Sequence, residues 1–161
     1  MKAAIVYTTK HGTTQKVVQE MKALRPDLDI DLINLKDDRN PDLDNYSAII
    51  VGTPVYRGMP PREIEHFCID YIRQLQTKKL GLFLCGMMPA GEERHREMEI
   101  AYAYPLVSHA SAFSFFEGTF TYDTLGWLER FMAKRFAGVT QSMGKVNKRE
   151  LCGFMNRMFP A

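Results

Sequence analysis

Short, wholly apolar runs alternate along the chain with segments of helical period. Three such runs occupy residues 3–7, 48–52 and 80–85, and each ends in polar or turn-forming residues. A strand that is apolar at every position is buried on both faces, which is typical of a parallel sheet covered by helices. Because parallel crossovers are right-handed, this pattern predicts a doubly wound α/β sheet.

The segments between these runs carry amphipathic patterns. The clearest follows Pro60 and Pro61, where apolar residues recur at steps of three and four from Ile64 to Leu75. Another segment, over 29–35, alternates aspartate with aliphatic residues, as a charged edge strand does. We therefore expect helices over 13–24, 61–75, 92–104, 125–137 and 147–159, the last capped by Asn147 and Glu150, and further strands over 29–35 and 113–120.

Chain length and composition agree with one folded domain. The 161 residues, 45% hydrophobic and 25% charged, favour a single domain over 1–161 and exclude a mostly disordered chain. The strongly apolar run over 80–88 is far shorter than the roughly 20 residues that span a bilayer. The N-terminal apolar run is too short for the core of a signal peptide, so we expect a cytoplasmic protein.

The cysteine and histidine patterns predict neither a disulfide framework nor a metal site. Cys68, Cys85 and Cys152 are widely spaced and form no CxxC pair, which fits a reducing compartment. The histidines form no HxH or HxxxH pair, and no local cluster supplies the four ligands of a zinc or iron–sulfur site. The net charge of +2 is too small to indicate a nucleic-acid partner.

The turn between the first strand and the first helix is where a doubly wound sheet places its ligand. It reads Thr-Thr-Lys-His-Gly-Thr-Thr over 8–14 and lacks the GxGxxG of dinucleotide folds. Residues 86–91 have the GxxxxG spacing of a P-loop, but Glu92 stands where a lysine is needed. A receiver domain needs clustered acids after the first and third strands, and those positions hold threonine and glycine.

What remains is a hydroxyl-rich loop that opens onto a helix. Thr9, Thr13 and Thr14 supply O–H donors and the helix N-terminus supplies N–H donors, an arrangement that suits a phosphate monoester. Gly12 lets the backbone bend without an intruding side chain. The same residues are also compatible with an ordinary threonine-capped helix start.

Two more strand ends carry suitable loops. The strand over 48–52 is followed by Thr-Pro-Val-Tyr-Arg-Gly over 53–58, which holds an aromatic ring and a flexible glycine. The strand over 80–85 is followed by a glycine- and methionine-rich segment over 86–91. Together the three loops suit a flat heteroaromatic molecule that bears a phosphate.

These loops resemble those of the flavodoxin family. Residues 9–14 look like the flavodoxin mononucleotide loop T-x-T-G-x-T, and residues 52–58 look like the loop that covers one face of a flavin. The closest resemblance is to the branch that includes quinone-dependent protoporphyrinogen oxidases, and it extends through 118–120 and 128–132. It implies a flavodoxin-like, doubly wound, five-stranded parallel sheet of strand order 2-1-3-4-5 that binds flavin mononucleotide (FMN).

The resemblance implies a cofactor-binding role for residues of all three loops. The implied residues are Thr9, Lys10, His11, Gly12, Thr13 and Thr14 around the phosphate; Thr53, Pro54, Val55, Tyr56, Arg57 and Gly58 on one flavin face, with Tyr56 stacked on the ring; and Cys85, Gly86, Met87, Met88 and Gly91 along the far ring edge. The sequence departs from the family at three points. His11 replaces the usual threonine, no aromatic residue lies over 85–91, and the long insertion of the best-known oxidase is missing.

The resemblance implies a redox role but leaves its form open. The protein is either a dehydrogenase, like protoporphyrinogen oxidase, that passes electrons to a quinone or a partner protein, or a mobile electron carrier without a substrate of its own. A scaffold domain that has lost its flavin is a third interpretation. Because the ring-side loop carries Arg57 and no acid, we expect a less negative potential for full reduction than in acidic flavodoxins. No residue is assigned to catalysis.

Charge is unevenly distributed along the chain. Seven aspartates lie over 27–44, and six basic residues lie over 126–149. The segment over 125–149 also carries an apolar stripe that includes Leu128 and Phe131. It is interpreted either as a helix packed on the sheet or as a basic, aromatic patch that contacts a membrane surface or a redox partner.

Overall fold

The structure, a computed structural model, describes residues 1–55, 58–86, 92–117 and 146–161, with the side chains of 92–95 outside the description. Five strands and six helices lie within these residues. The strands are β1 (Lys2–Tyr7), β2 (Asp29–Asn34), β3 (Ala48–Pro54), β4 (Lys79–Gly86) and β5 (Ala112–Glu117). The helices are α1 (Thr13–Leu24), α2 (Arg62–Asp70), α3 (Ile72–Gln76), α4 (Glu92–Ala101), α5 (Tyr104–His109) and α6 (Lys148–Met158).

The five strands form one parallel sheet in the order β2-β1-β3-β4-β5. This confirms the predicted doubly wound α/β fold and its strand order. The chain moves outward in one direction from β1 to β2 and in the other direction from β3 to β5, so the order reverses between β1 and β3. The carboxyl ends of β1, β3 and β4 therefore lie side by side at one edge of the sheet.

Both faces of the sheet are covered by apolar side chains. Along β1, Ala3 and Ile5 belong to the layer that includes α1 and α6, whereas Ala4 and Val6 belong to the layer that includes α2, α3 and α5. Successive strand residues point to opposite faces. A strand that is covered on both faces consequently needs an apolar residue at every position, which explains the uninterrupted apolar runs in the sequence.

The helix predicted over 61–75 is divided at Tyr71 into α2 and α3. Tyr71 has φ −102° and ψ 8°, and its N–H donates to the carbonyls of Phe67 and Ile69, which tightens the last turn of α2. The Tyr71 ring stacks on the Phe67 ring with 4.7 Å between the centroids. Phe67 and Leu75 are both buried. The apolar spacing therefore continues across the break at Tyr71, which is why the sequence pattern did not indicate the break.

The helix predicted over 92–104 ends earlier, at Ala101, and a separate helix, α5, follows it. Tyr102 lies between them, and its wholly buried hydroxyl donates to the carbonyl of Phe83 at 2.7 Å. Pro105 lies in the first turn of α5, where its missing N–H leaves no intrahelical bond unmade. The prediction was wrong here because it did not use this proline as a helix-start signal.

Three smaller points concern the ends of elements. β3 extends to Pro54, two residues beyond its predicted end. Asn147 caps α6 as predicted, since its Oδ1 accepts the N–H of Arg149 at 3.0 Å. The helix predicted over 125–137 lies outside the described residues. Within the described part of the chain, no helix combines the length and apolarity that crossing a bilayer requires.

Candidate functional site

The loop between β1 and α1 turns sharply at Gly12. Gly12 has φ +85°, in the left-handed region that favours glycine. Its N–H donates to Oγ1 of Thr9 at 3.0 Å, and its carbonyl accepts the N–H of Lys16 at 3.0 Å, within the first turn of α1. A β-carbon at Gly12 would have no atom within 4 Å. The loop therefore borders open space on the side where the helix begins.

Thr14 carries a buried hydroxyl at the start of α1. Its side chain is wholly buried, and Oγ1 has no hydrogen-bond partner of ordinary geometry among the described residues. Burial raises the pKa of the Cys85 thiol to about 12, and the adjacent Thr14 side chain lowers it by a smaller amount. A thiol is a weak hydrogen-bonding group, so this contact leaves the hydroxyl unsatisfied. It also places the start of α1 beside the end of β4.

The loop after β2 adds a residue that the sequence analysis missed. The Nζ atom of Lys36 donates to the carbonyl of Thr9. The N–H of Leu35 donates to the carbonyl of Tyr7 at 2.9 Å, which continues the pairing of β2 with β1 up to the loop. The strand order supplies the signal that could have found Lys36, because it places the residues after β2 next to those after β1.

The ends of β3 and β4 are joined directly. Thr53 is buried, and its Oγ1 donates to the carbonyl of Pro54 at 3.1 Å. The N–H of Val55 donates to the carbonyl of Cys85 at 2.9 Å. The structure thus brings together predicted site residues of two loops, while Tyr56 and Arg57 lie outside the described residues.

Gly58 and Glu97 lie close to each other. Gly58 has φ +75°, and a β-carbon placed there would lie 4.0 Å from Oε1 of Glu97. Glu97 lies on α4 and is 5% exposed, although a glutamate in a highly charged helix is usually solvated. The ring-side loop over 53–58 carries no acid, but α4 brings a buried carboxyl group beside Gly58.

Packing restricts two glycines at the strand ends. Gly52 pairs with Phe83 across β3 and β4, and a β-carbon at Gly52 would lie 1.9 Å from Cζ of that ring. A β-carbon at Gly86 would lie 2.9 Å from Cζ of Phe115. These glycines are required by the close approach of aromatic rings from neighbouring strands. Met87, Met88 and Gly91 lie outside the described residues.

A cleft of about 370 Å³ lies elsewhere, between the segment after β2 and helix α2. Its lining includes Arg39, Arg62 and the exposed His66 over an apolar floor of Leu35 and Phe67. None of the predicted cofactor-binding residues that the structure describes lines it. The cleft is thus separate from the described part of the candidate site at the ends of β1, β3 and β4.

Comparison with known protein families bears on the identity of this fold. The model of the family described as "Flavodoxin domain" matches residues 4–146, which is most of the chain. The chain belongs to the flavodoxin domain family. A search of the curated proteins gave no match.

Solved structures of flavodoxins and a related protein resemble this one. A flavodoxin, WrbA-like protein from Agrobacterium tumefaciens is 16% identical, with a TM-score of 0.56 over 98% of this chain and 91% of that one. Oxidised flavodoxin 2 from Bacillus cereus is 22% identical, with a TM-score of 0.54 over 71% of this chain and 84% of that one. Flavodoxin from Fusobacterium nucleatum, solved bound to flavin mononucleotide, is 21% identical, with a TM-score of 0.51 over 71% and 70% of the two chains. At these identities the likeness concerns the fold.

Proposed function

We propose that this flavodoxin-family protein binds FMN at the ends of β1, β3 and β4 and transfers electrons through it. The observation that carries the proposal is the buried hydroxyl of Thr14. Burying an unsatisfied hydroxyl is unfavourable. A phosphate oxygen at the start of α1 would accept a hydrogen bond from it and remove that cost.

Other features of the β1–α1 loop fit a phosphate monoester. Oγ1 of Thr9 accepts the Gly12 N–H, which leaves its own O–H to donate to an anion. The N-terminus of α1 favours negative charge through its dipole and its N–H groups. The open space at Gly12 allows a ligand to approach the backbone. The residues present therefore fit the phosphate of FMN.

The β3 and β4 loops would hold the ring. The hydrogen bond between Val55 and Cys85 fixes the two strand ends relative to each other, and the positive φ of Gly58 turns the chain beyond them. When bound, the flavin supplies one- and two-electron transfer. The protein's contribution is to orient the ring and to set the charge around it, where Glu97 lies buried beside Gly58.

Two forms of this redox function remain. The resemblance to quinone-dependent protoporphyrinogen oxidases supports a dehydrogenase that passes electrons to a quinone or a partner protein. An ionised carboxylate at Glu97 would favour the alternative, an electron carrier, because negative charge near the ring disfavours the anionic, fully reduced flavin. A carrier needs such a low potential, whereas a dehydrogenase does not.

The binding test is an FMN titration of the purified protein. We expect a yellow protein that releases FMN on denaturation, or an apoprotein that quenches FMN fluorescence on binding. A colourless protein that takes up no FMN at a saturating concentration would contradict the proposal. For the FMN-loaded protein, turnover of protoporphyrinogen with menaquinone would identify the dehydrogenase. Reduction by a flavodoxin reductase without such turnover would identify the carrier.

A further inference from the structure

Lys36 connects the segment after β2 to the phosphate loop. Its ammonium group donates to the carbonyl of Thr9, the same residue whose hydroxyl accepts the Gly12 N–H. A carbonyl takes one of the three N–H donors of the ammonium group, and the positive charge remains beside the loop. Lys10 lies on the loop itself, whereas Lys36 reaches the loop from the turn that follows β2.

The backbone of Lys36 is held in place by Asn34. Oδ1 of Asn34 accepts the N–H of Lys36 at 3.1 Å, and the Asn34 carbonyl accepts the N–H groups of Asp37 and Asp38 at 2.9 and 3.0 Å. On the other side, Leu35 is buried and bonded to the end of β1. Because the turn fixes its α-carbon, Lys36 loses less conformational freedom in reaching the loop than a lysine on a mobile segment would.

The charge of Lys36 has a specific consequence for an anion at this loop. Asp37, Asp38 and Arg39 follow it directly, so the segment without its ammonium group would carry a net negative charge. The phosphate monoester of FMN itself carries a charge of about −2, so a nearby cation stabilises it. The uncharged ribityl chain of riboflavin gains no such stabilisation. The effect is moderate because Lys36 is exposed to solvent and its charge is screened.

We propose that Lys36 makes the β1–α1 loop selective for the phosphorylated flavin over the dephosphorylated one, acting as a positioning residue for the phosphate site. This inference rests on the proposed function. It assigns a contribution to cofactor choice to the turn after β2, which the flavodoxin resemblance did not include in the site.

The test compares the dissociation constants of FMN and riboflavin for Lys36→Met, Lys36→Arg and Lys78→Met. Lys78 is the matched control, because its Nζ also donates to a backbone carbonyl, that of Tyr46 at 2.6 Å, but at the opposite edge of the sheet. We expect Lys36→Met to weaken FMN binding three- to tenfold, leave riboflavin binding unchanged and flatten the salt dependence for FMN. Lys36→Arg should retain most of the discrimination, and Lys78→Met should retain all of it.

The other possible results contradict either the role of Lys36 or FMN binding itself. Unchanged affinities for both FMN and riboflavin in Lys36→Met would overturn the selectivity role while leaving the proposed FMN binding intact. An equal loss for both flavins would show that Lys36 only supports the loop and would overturn the role in the same way. A wild-type protein that binds neither flavin would overturn the proposed function, and this inference with it. Circular dichroism of each variant checks that the fold is retained.

Discussion

Oε1 of Glu97 lies 4.0 Å from the position that a β-carbon would occupy at Gly58. The carboxylate is buried, and the glycine turns the chain after β3 with φ +75°. A residue in the middle of α4 thus lies beside the glycine that ends the loop proposed to face the flavin ring.

Glu97→Gln is expected to make the potential for full reduction of the bound flavin less negative. Removing an ionised carboxylate would stabilise the anionic reduced form, and a single charge at about 10 Å and an effective dielectric constant of ~20 corresponds to some tens of millivolts. Redox titration of the FMN-loaded protein measures the shift. Glu99→Gln is the control, because Glu99 lies on the same helix but is exposed. Equal shifts in both variants would exclude a specific role for Glu97.

Thr14→Val is expected to leave the apoprotein as stable as the wild type or slightly more stable, because it removes a buried hydroxyl that has no partner. FMN binding should weaken by roughly 10- to 100-fold, the value of a hydrogen bond to a charged oxygen. Thermal unfolding and FMN titration measure the two effects. Thr77→Val, at an exposed hydroxyl bonded to Gln74, should leave FMN affinity unchanged. If Thr14→Val bound FMN as tightly as the wild type, the hydroxyl would not contact the phosphate.

Gly12→Ala is expected to lower the free energy of unfolding by about 1–2 kcal/mol, because an L-residue at φ +85° is strained. The added methyl group would meet no atom within 4 Å, so the cost comes from the backbone alone. Gly153→Ala gives the opposite sign, since Gly153 lies inside α6 and alanine there stabilises by about 0.5–1 kcal/mol. Denaturant unfolding measures the free energy of unfolding of both variants. A Gly12→Ala protein as stable as the wild type would contradict the left-handed conformation of Gly12.

Gly52→Ala is expected to be the most destabilising of these changes. Its β-carbon would lie 1.9 Å from Cζ of Phe83, and the ring is wholly buried, so relieving the clash costs about 1–3 kcal/mol or more. In the Phe83→Leu background, Gly52→Ala should lower the free energy of unfolding by less than it does in the wild type. Denaturant unfolding of the two single variants and the double variant tests this. If the two changes were additive, the clash would not be the cause.

Much of the site follows from local sequence. The hydroxyls of Thr9 and Thr14, the bend at Gly12 and the apolar strand before them form one continuous segment, so their order alone indicates an anion site at the start of a helix. Lys36 and Glu97 were missed for the opposite reason. Each enters the site from another element, and nothing in the segment around either residue indicates which loop it approaches.

The same distinction between local sequence and tertiary contacts applies to the fold. The apolar runs of β1, β3 and β4 require cover on both faces of a parallel sheet, because alternate residues point to opposite sides and all of them avoid water. That requirement is local and was sufficient for the fold class. The division at Tyr71 and the burial of Glu97 depend on which side chains meet after the sheet has assembled. Such contacts join residues that are distant along the chain, and only the tertiary structure decides them.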